Sequence, residues 1–122
     1  MTRDEVLALK PGRELDALVA EKVMGWKTNW LNTDWWEEIS PNNHHHRGLV
    51  KDFKPSTDNA VALKVAIHLQ KQGYYVCIEL KACEETSVGV YEENPVEQIA
   101  YAKAQTPAEA ICKAALLAVM EG

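Results

Sequence analysis

Features that often reveal the function of a small protein are scarce in this sequence. Its 122 residues include only six glycines, which never cluster, so it lacks a glycine-rich loop for binding phosphate groups. No G-x-S-x-G motif marks a nucleophilic serine, and no run approaches the ~20 apolar residues that span a bilayer. The first residues, MTRDEVLALKPG, lack the apolar core of a secretory signal. We therefore expect a cytoplasmic protein.

Cysteine is also scarce, and its spacing matches no metal or redox motif. The three residues, Cys77, Cys83 and Cys112, are an odd number, lack C-x-x-C spacing and fall in apolar segments. These segments predict reduced thiols in the core, because free cysteine is usually buried. A catalytic cysteine would need a partly exposed, electropositive setting that such segments do not suggest. Together with the missing motifs, this indicates a protein that is not an enzyme.

Basic residues are fewer than acidic residues in this sequence. Thirteen lysines and arginines stand against 18 aspartates and glutamates, which gives a formal net charge of −5. This balance disfavours nucleic acid and membranes as partners, since both attract basic surfaces. The share of hydrophobic residues, 47%, is ordinary for a globular protein. The length is that of one domain, so we predict a single domain over residues 1–122.

Two helical patterns occupy the first 25 residues. Thr2 and Glu5 have the spacing of a capping box, which predicts a short helix over residues 3–9 that a Pro-Gly pair stops. The next segment, GRELDALVAEKVMGW, predicts an amphipathic helix that ends near Gly25. Its stripe at helical spacing is apolar except for one lysine and consists of Leu15, Leu18, Val19, Lys22 and Val23.

A third helix is predicted after Pro55. Ser56 or Thr57 is its expected N-cap, and Gly73 is expected to end it. Its polar stripe includes His68, which we expect to be exposed. The apolar face that the pattern predicts consists of Ala62, Leu63, Ala66, Ile67 and Leu69.

The segment TPAEAICKAALLAVMEG predicts the last helix. Thr106 is its expected N-cap, Pro107 suits the first helical position, and Glu109 stands three residues after the cap. Its many alanines and few charges indicate a mostly buried helix that lies close against a sheet. Lys113 is one of those few charges, and we expect its replacement by alanine to change stability little.

Between the last two helices the hydrophobic period changes to two. The segments YYVCIELKA, TSVGVYEE and VEQIAYAKA, joined by short connections, predict an antiparallel three-stranded meander. Val88 and Val90 share one face, and the tyrosines on the opposite face also need cover. The predicted fold class is α+β, an α-β-α sandwich in which helices flank a three-stranded sheet with room for a fourth strand.

Residues 26–54 follow no period and contain all four tryptophans. RGLVKDF is the best candidate for an edge strand there, because a structureless connection of this length is uncommon. The tryptophans either cover the tyrosine face of the sheet or form a groove for a partner or ligand. For the second interpretation the candidate residues are Trp30, Trp35, Trp36 and Glu37. Trp35 and Trp36 are expected to face different ways, one as an anchor and one partly exposed near Glu37.

Three consecutive histidines, His44, His45 and His46, lie in the same segment. Zinc needs three or four converging ligands, and the side chains of adjacent residues in an extended chain diverge. We therefore expect a solvated loop, with neither a metal ion nor a cofactor.

The blocks AEKVMGW and AICKAALLA, together with PSTDNAVALKVAIHL, resemble the phage ABA sandwich domain family. The resemblance covers about residues 12–122. It implies an α-β-α sandwich encoded by a phage or prophage and acting in the bacterial host cell. It implies no activity and no catalytic motif that could be transferred to these residues.

Three function classes remain open. The first is a non-enzymatic accessory protein that binds a host protein or a small metabolite. The second is a nucleic-acid-binding module, because the order of elements resembles that of the double-stranded-RNA-binding domain. Such a module needs lysines at the start of its last helix, where this chain has Thr106, Pro107, Ala108 and Glu109. The third is a structural or assembly protein, which would expose an apolar patch.

Overall fold

The computed structural model describes residues 2–28, 35–40, 43–93 and 96–121. The predicted α+β class is confirmed. The elements in chain order are α1 (Arg3–Ala8), α2 (Arg13–Leu18) with a π-helical turn (Val19–Val23), β1 (Lys27–Thr28), β2 (Trp35–Ser40), β3 (Asn43–Leu49), a 3-10 turn (Val50–Asp52), α3 (Asn59–Lys71), β4 (Tyr75–Glu79), β5 (Thr86–Glu92), β6 (Glu97–Ala104) and α4 (Pro107–Glu121). None of the described helices has the length and apolar character required to cross a membrane.

The first helices begin as predicted, but the second changes its winding. The capping box of α1 is present, because the Thr2 hydroxyl accepts from the Glu5 backbone and the Glu5 side chain accepts from the Thr2 backbone. After Leu18 the chain widens into a π-turn, where the Met24 N–H donates to the Val19 carbonyl at 3.0 Å. The wider turn buries Ala20 and leaves Lys22, the polar break in the predicted stripe, exposed.

Helix α3 has a different cap from the one predicted. Asp58 is the N-cap, and its side chain accepts from the backbone N–H groups of Ala60 and Val61. Neither Ser56 nor Thr57 has this role, because Ser56 is buried in contacts with the start of α2. Gly73, with φ of 98°, ends the helix as predicted.

The apolar face of α3 was predicted only in part. Ala62, Ala66 and Leu69 are buried as expected. Leu63 and Ile67 keep 50% and 41% of their surfaces exposed, so these two predictions were wrong. The helix packs on α4 and on β4, which cover only one side of it.

The predicted meander is confirmed. The strand order is β4-β5-β6, both pairs are antiparallel, and Val90 lies between Val76 and Ala100. On the other face, Tyr91 folds back over Gly89, where an added Cβ would lie 3.0 Å from the tyrosine ring. The ring also packs edge-on against Tyr75, with 5.7 Å between ring centroids.

Helix α4 is the centre of the core. Residues 110–118 are all buried, and the helix packs on β5 and β6, on α3, and on α1 with the π-turn. The Thr106 hydroxyl caps it by accepting from the Glu109 N–H at 3.2 Å. Lys113 is also buried, so the expectation that its replacement would matter little was wrong. Its ammonium donates to the Leu7 carbonyl at 3.0 Å and lies 2.7 Å from a Glu109 carboxylate oxygen.

The segment without a period forms a second antiparallel sheet, with strand order β1-β2-β3. The predicted strand RGLVKDF is only half correct, since residues 47–49 end β3 and residues 50–52 form the 3-10 turn. This strand pairs with β2 and does not extend the meander. His44, His45 and His46 lie in β3, so the expected loop was wrong. Their side chains lie outside the described residues.

The cysteines differ from one another in exposure. Cys112 is buried in α4 and Cys77 is half-buried in β4. Cys83 is exposed in the turn after β4, with φ of 60°, so its predicted place in the core was wrong. Burial raises the pKa of the Cys112 thiol, and Asp16 and Glu109 add to this effect.

Candidate functional site

The four residues predicted for the site have different outcomes. Trp36 is buried, with 2% of its surface exposed, and Glu37 is buried with 4%. Trp35 lies in β2, but its side chain and the whole of Trp30 lie outside the described residues. Trp36 therefore has the burial expected of the anchor. Whether Trp35 is the exposed partner stays a prediction.

Trp36 borders a cavity of about 650 Å³ between α2 and the second sheet. We call it the α2 cavity, and its lining comes from the start of α2, from β1 and β2, and from residues 50–57. Its apolar wall consists of Ala17, Trp36, Val50 and Phe53. A volume of this size fits a small organic molecule.

A third aromatic ring, that of Trp26, supports Phe53 in this wall. Phe53 packs against Trp26, with 4.9 Å between ring centroids and 58° between ring planes. Trp26 thus supports the cavity and does not cover the tyrosines of the meander. Since Trp36 also faces α2, the interpretation that the tryptophans cover that tyrosine face was wrong for both of these residues.

Charged side chains line the rest of the α2 cavity. Among its described residues, Arg13, Lys51 and Lys54 are exposed cations, and Asp16 and Glu21 are acids. The described part of the lining thus has one more positive than negative group, although the whole chain carries a formal net charge of −5. Arg13 and the two lysines come from different elements, and the fold brings them to one opening.

A buried hydrogen-bond network fixes the two walls of the cavity to each other. The Ser56 N–H donates to an Asp16 carboxylate oxygen at 2.8 Å, and the Gly12 N–H donates to the Ser56 hydroxyl at 2.9 Å. Burial raises the pKa of Asp16 above its ordinary value, while the hydrogen bonds from Ser56 and the charge of Lys54 oppose this rise. These contacts join residues 40 and 44 positions apart, so they hold the 50–57 segment against α2.

Sequence reasoning found only Trp36 among these lining residues. Lys51, Phe53 and Lys54 stand in the segment KDFK, which has neither a helical nor a strand period, so no pattern singled them out. The one available signal was Phe53, the only phenylalanine of the chain, between two lysines and beside a proline turn. The contact between Asp16 and Ser56 left no signal, because its partners are distant in sequence.

Among the side chains that the structure describes, no group of three or more histidines, cysteines, aspartates or glutamates is placed to hold a metal ion. The cavity offers cationic, aromatic and hydroxyl groups instead. Such groups bind a ligand by charge, by apolar contact and by hydrogen bonds.

Comparison with known proteins agrees with the resemblance. A family model described as the phage ABA sandwich domain matches residues 17–116. The matched region includes Trp36, Lys51, Phe53 and Lys54 of the α2 cavity, whereas Arg13 precedes it. No curated protein and no solved structure matches the chain.

Proposed function

This chain belongs to the phage ABA sandwich domain family, and we propose that it is a non-enzymatic accessory protein that binds a small organic anion in the α2 cavity. In a phage-infected or prophage-carrying cell, the ligand would be a metabolite of the bacterial host. The observation that carries the proposal is the combination of an aromatic wall with three cations in one cavity of an acidic protein.

The charge pattern supports an anionic ligand. On a surface with a net negative charge, a cationic opening attracts anions to that position and repels them elsewhere. Arg13 can bind a carboxylate or phosphate through two parallel hydrogen bonds, and lysines add compact positive charge. Phe53, half-buried between Lys51 and Lys54, suits the apolar body of the ligand.

The alternative of a nucleic-acid-binding module has weaker support. A double-stranded-RNA-binding module would bind phosphates with the start of its last helix. Here the Ala108 N–H at that position donates to the Asn59 side chain at 3.0 Å, and Ala108 is fully buried. Glu109 is engaged with Lys113 and would repel a phosphate.

The proposal can be tested by incubating the purified protein with a small-molecule extract of bacterial cells and identifying what it retains by mass spectrometry. We expect enrichment of anions that contain a planar ring. The double variant Lys51→Ala/Lys54→Ala should bind the same molecule at least about 10-fold more weakly, which corresponds to ~1.4 kcal/mol. Loss of exposed lysines rarely affects folding, so circular dichroism should stay unchanged.

A matched control removes two exposed lysines that lie away from the cavity. Lys10→Ala/Lys22→Ala changes the net charge by the same amount, and it should leave the affinity within about 2-fold of the original. Equal losses in both double variants would show that only net charge matters. The proposal would be contradicted if the protein retained only neutral molecules or retained no molecule at all.

A further inference from the structure

A second surface of the molecule lies on the outer side of α3 and β4. Two large apolar side chains are exposed there, Leu63 and Ile67, with 50% and 41% of their surfaces accessible. They border a groove of about 480 Å³ whose floor includes Val76 and Ile78. We call this surface the α3-β4 patch, and no residue of it lines the α2 cavity.

The patch includes an edge of the meander. Strand β4 pairs with β5 on one side, and no described strand pairs with its other side. Alternate N–H and C=O groups of an edge strand point outward and are free to pair with another strand. Leu80, which is 71% exposed, extends the apolar surface just beyond the end of β4.

We propose that the α3-β4 patch binds a second copy of this chain, with the two β4 strands pairing antiparallel about a two-fold axis near Cys77. The two meanders would then form one continuous six-stranded sheet. The two α3 helices would lie side by side on the same face of it, and Leu63 and Ile67 of each copy would contact those of the other. This inference is independent of the ligand proposed for the α2 cavity.

The free edge of β4 suits a second copy of the same strand. An antiparallel strand edge is also self-complementary, as an interface with two-fold symmetry requires.

The charges at the two ends of β4 are complementary in this arrangement. Glu93 borders the groove beside Gly73 and Tyr75, at the start of the strand. Antiparallel pairing about Cys77 brings the end of the second copy's β4 to this position, and with it the second copy's Lys81. Within one chain Lys81 makes an exposed ion pair with Glu79, at 3.5 Å, which costs little to exchange.

The first test is the mass in solution, measured by light scattering during size-exclusion chromatography over a range of protein concentrations. One chain has a mass of 13.7 kDa. We expect twice this mass at the higher concentrations. A single-chain mass at every concentration up to about 100 μM would overturn the proposal and leave the patch to a different partner.

The second test locates the interface. Leu63→Lys/Ile67→Lys should raise the dissociation constant of the dimer at least about 30-fold, as expected when a buried apolar contact is replaced by charge. Both residues are exposed in the single chain, so the melting temperature of the monomeric variant reports that it is folded. Val96→Lys is the matched control, because Val96 is 75% exposed outside the patch. A dimer that survives the double change overturns the proposed surface.

The third test concerns the antiparallel arrangement. Lys81→Glu should weaken the dimer about 5-fold or more, and adding Glu93→Lys should restore most of the loss, because the charges would then be exchanged across the interface. If the second change weakens the dimer further, the proposed pairing of the strands is wrong.

Discussion

The two regions on either side of α2 are packed in opposite ways. In the main body, α4 presents fully buried small side chains, including Ala110, Ala114 and Ala118, so that the sheet and the other helices approach closely. Where α2 meets the second sheet, the contact consists of rings such as Trp36 and Phe53, and a cavity of about 650 Å³ remains. The small side chains of α4 allow the close packing that is usual in protein interiors, whereas the contact through Trp36 and Phe53 leaves a gap. The first region stabilises the fold, and the second leaves the cavity in which we propose that the ligand binds.

The largest effect is expected from the centre of the main body. Leu116 is fully buried on α4, so Leu116→Ala should lower the free energy of unfolding by about 3 kcal/mol, through lost burial and the cavity that remains. Urea denaturation followed by circular dichroism measures this. Met120→Ala on the same helix, where the side chain is partly exposed, should cost less than about 1 kcal/mol. Equal effects would show that α4 is not packed as described.

A smaller but still large effect is expected for Lys113→Ala. The change leaves the Leu7 carbonyl and the Glu109 carboxylate, both part-buried, without their shared donor. We expect a loss of about 2 kcal/mol in the free energy of unfolding. Lys113→Ala/Glu109→Gln should recover part of this loss, because it removes the uncompensated charge. No recovery would show that the carbonyl, and not the ion pair, is the important partner.

The Asp16 network, at the boundary between the two regions, predicts a pH-dependent effect of about 1 kcal/mol or less. Because burial raises the pKa of Asp16 above 3.8 in the folded protein, folding favours the protonated carboxyl. Its contribution to stability is therefore fully present below pH 3.8 and falls as the pH rises through the folded pKa. Asp16→Asn should remove this part of the pH dependence and still accept the hydrogen bond from Ser56.

Urea denaturation at a series of pH values tests the Asp16 prediction. Asp52→Asn is the matched control, because this substitution removes the same charge from an exposed position. The control should keep the pH dependence of the original protein. If both variants change it equally, the effect comes from net charge and not from the buried position.

The smallest effect on stability concerns the cysteines. Cys83 is exposed, while Cys112 is buried and its pKa is raised. A thiol reagent should therefore modify Cys83 within minutes and leave Cys112 unmodified in the folded protein. Mass spectrometry of the peptides identifies the site, and the melting temperature should change by less than about 1 °C. Modification of Cys112 at a comparable rate would contradict the packing of α4.

The same contrast between the regions explains how much the sequence could predict. The meander, α1 and α4 follow from local patterns: alternation in β5, the Thr2 capping box, and Thr106 followed by Pro107. The residues that make up each of these signals lie within a few positions of each other, so each signal can be recognised in a single sequence. The second sheet was missed because the sequences of β2 and β3, WWEEIS and NHHHRGL, do not alternate between apolar and polar residues, although these strands are about as long as those of the meander.

The errors within the main body have a different cause. Nothing local indicates that Lys113 points inward, because its carbonyl partner, Leu7, lies 106 residues away. The exposure of Leu63 and Ile67 depends on which side of α3 the sheet covers, which a helical pattern alone does not determine. The α2 cavity likewise depends on contacts across 40 residues or more, such as that between Ser56 and Asp16.

The position of α4 in the chain determines when this protein can fold in the cell. Synthesis proceeds from the amino terminus, so α4 leaves the ribosome after α1, α2, α3 and the meander, all of which pack against it. Until then Leu15, Val88 and Val90 have no partner to cover them, and the growing chain exposes the apolar surfaces that cause aggregation. The meander consists of neighbouring strands and can pair early, but the core closes only when the alanine-rich helix arrives. Successful folding therefore depends on keeping the unfinished chain apart from its copies for the seconds that synthesis takes.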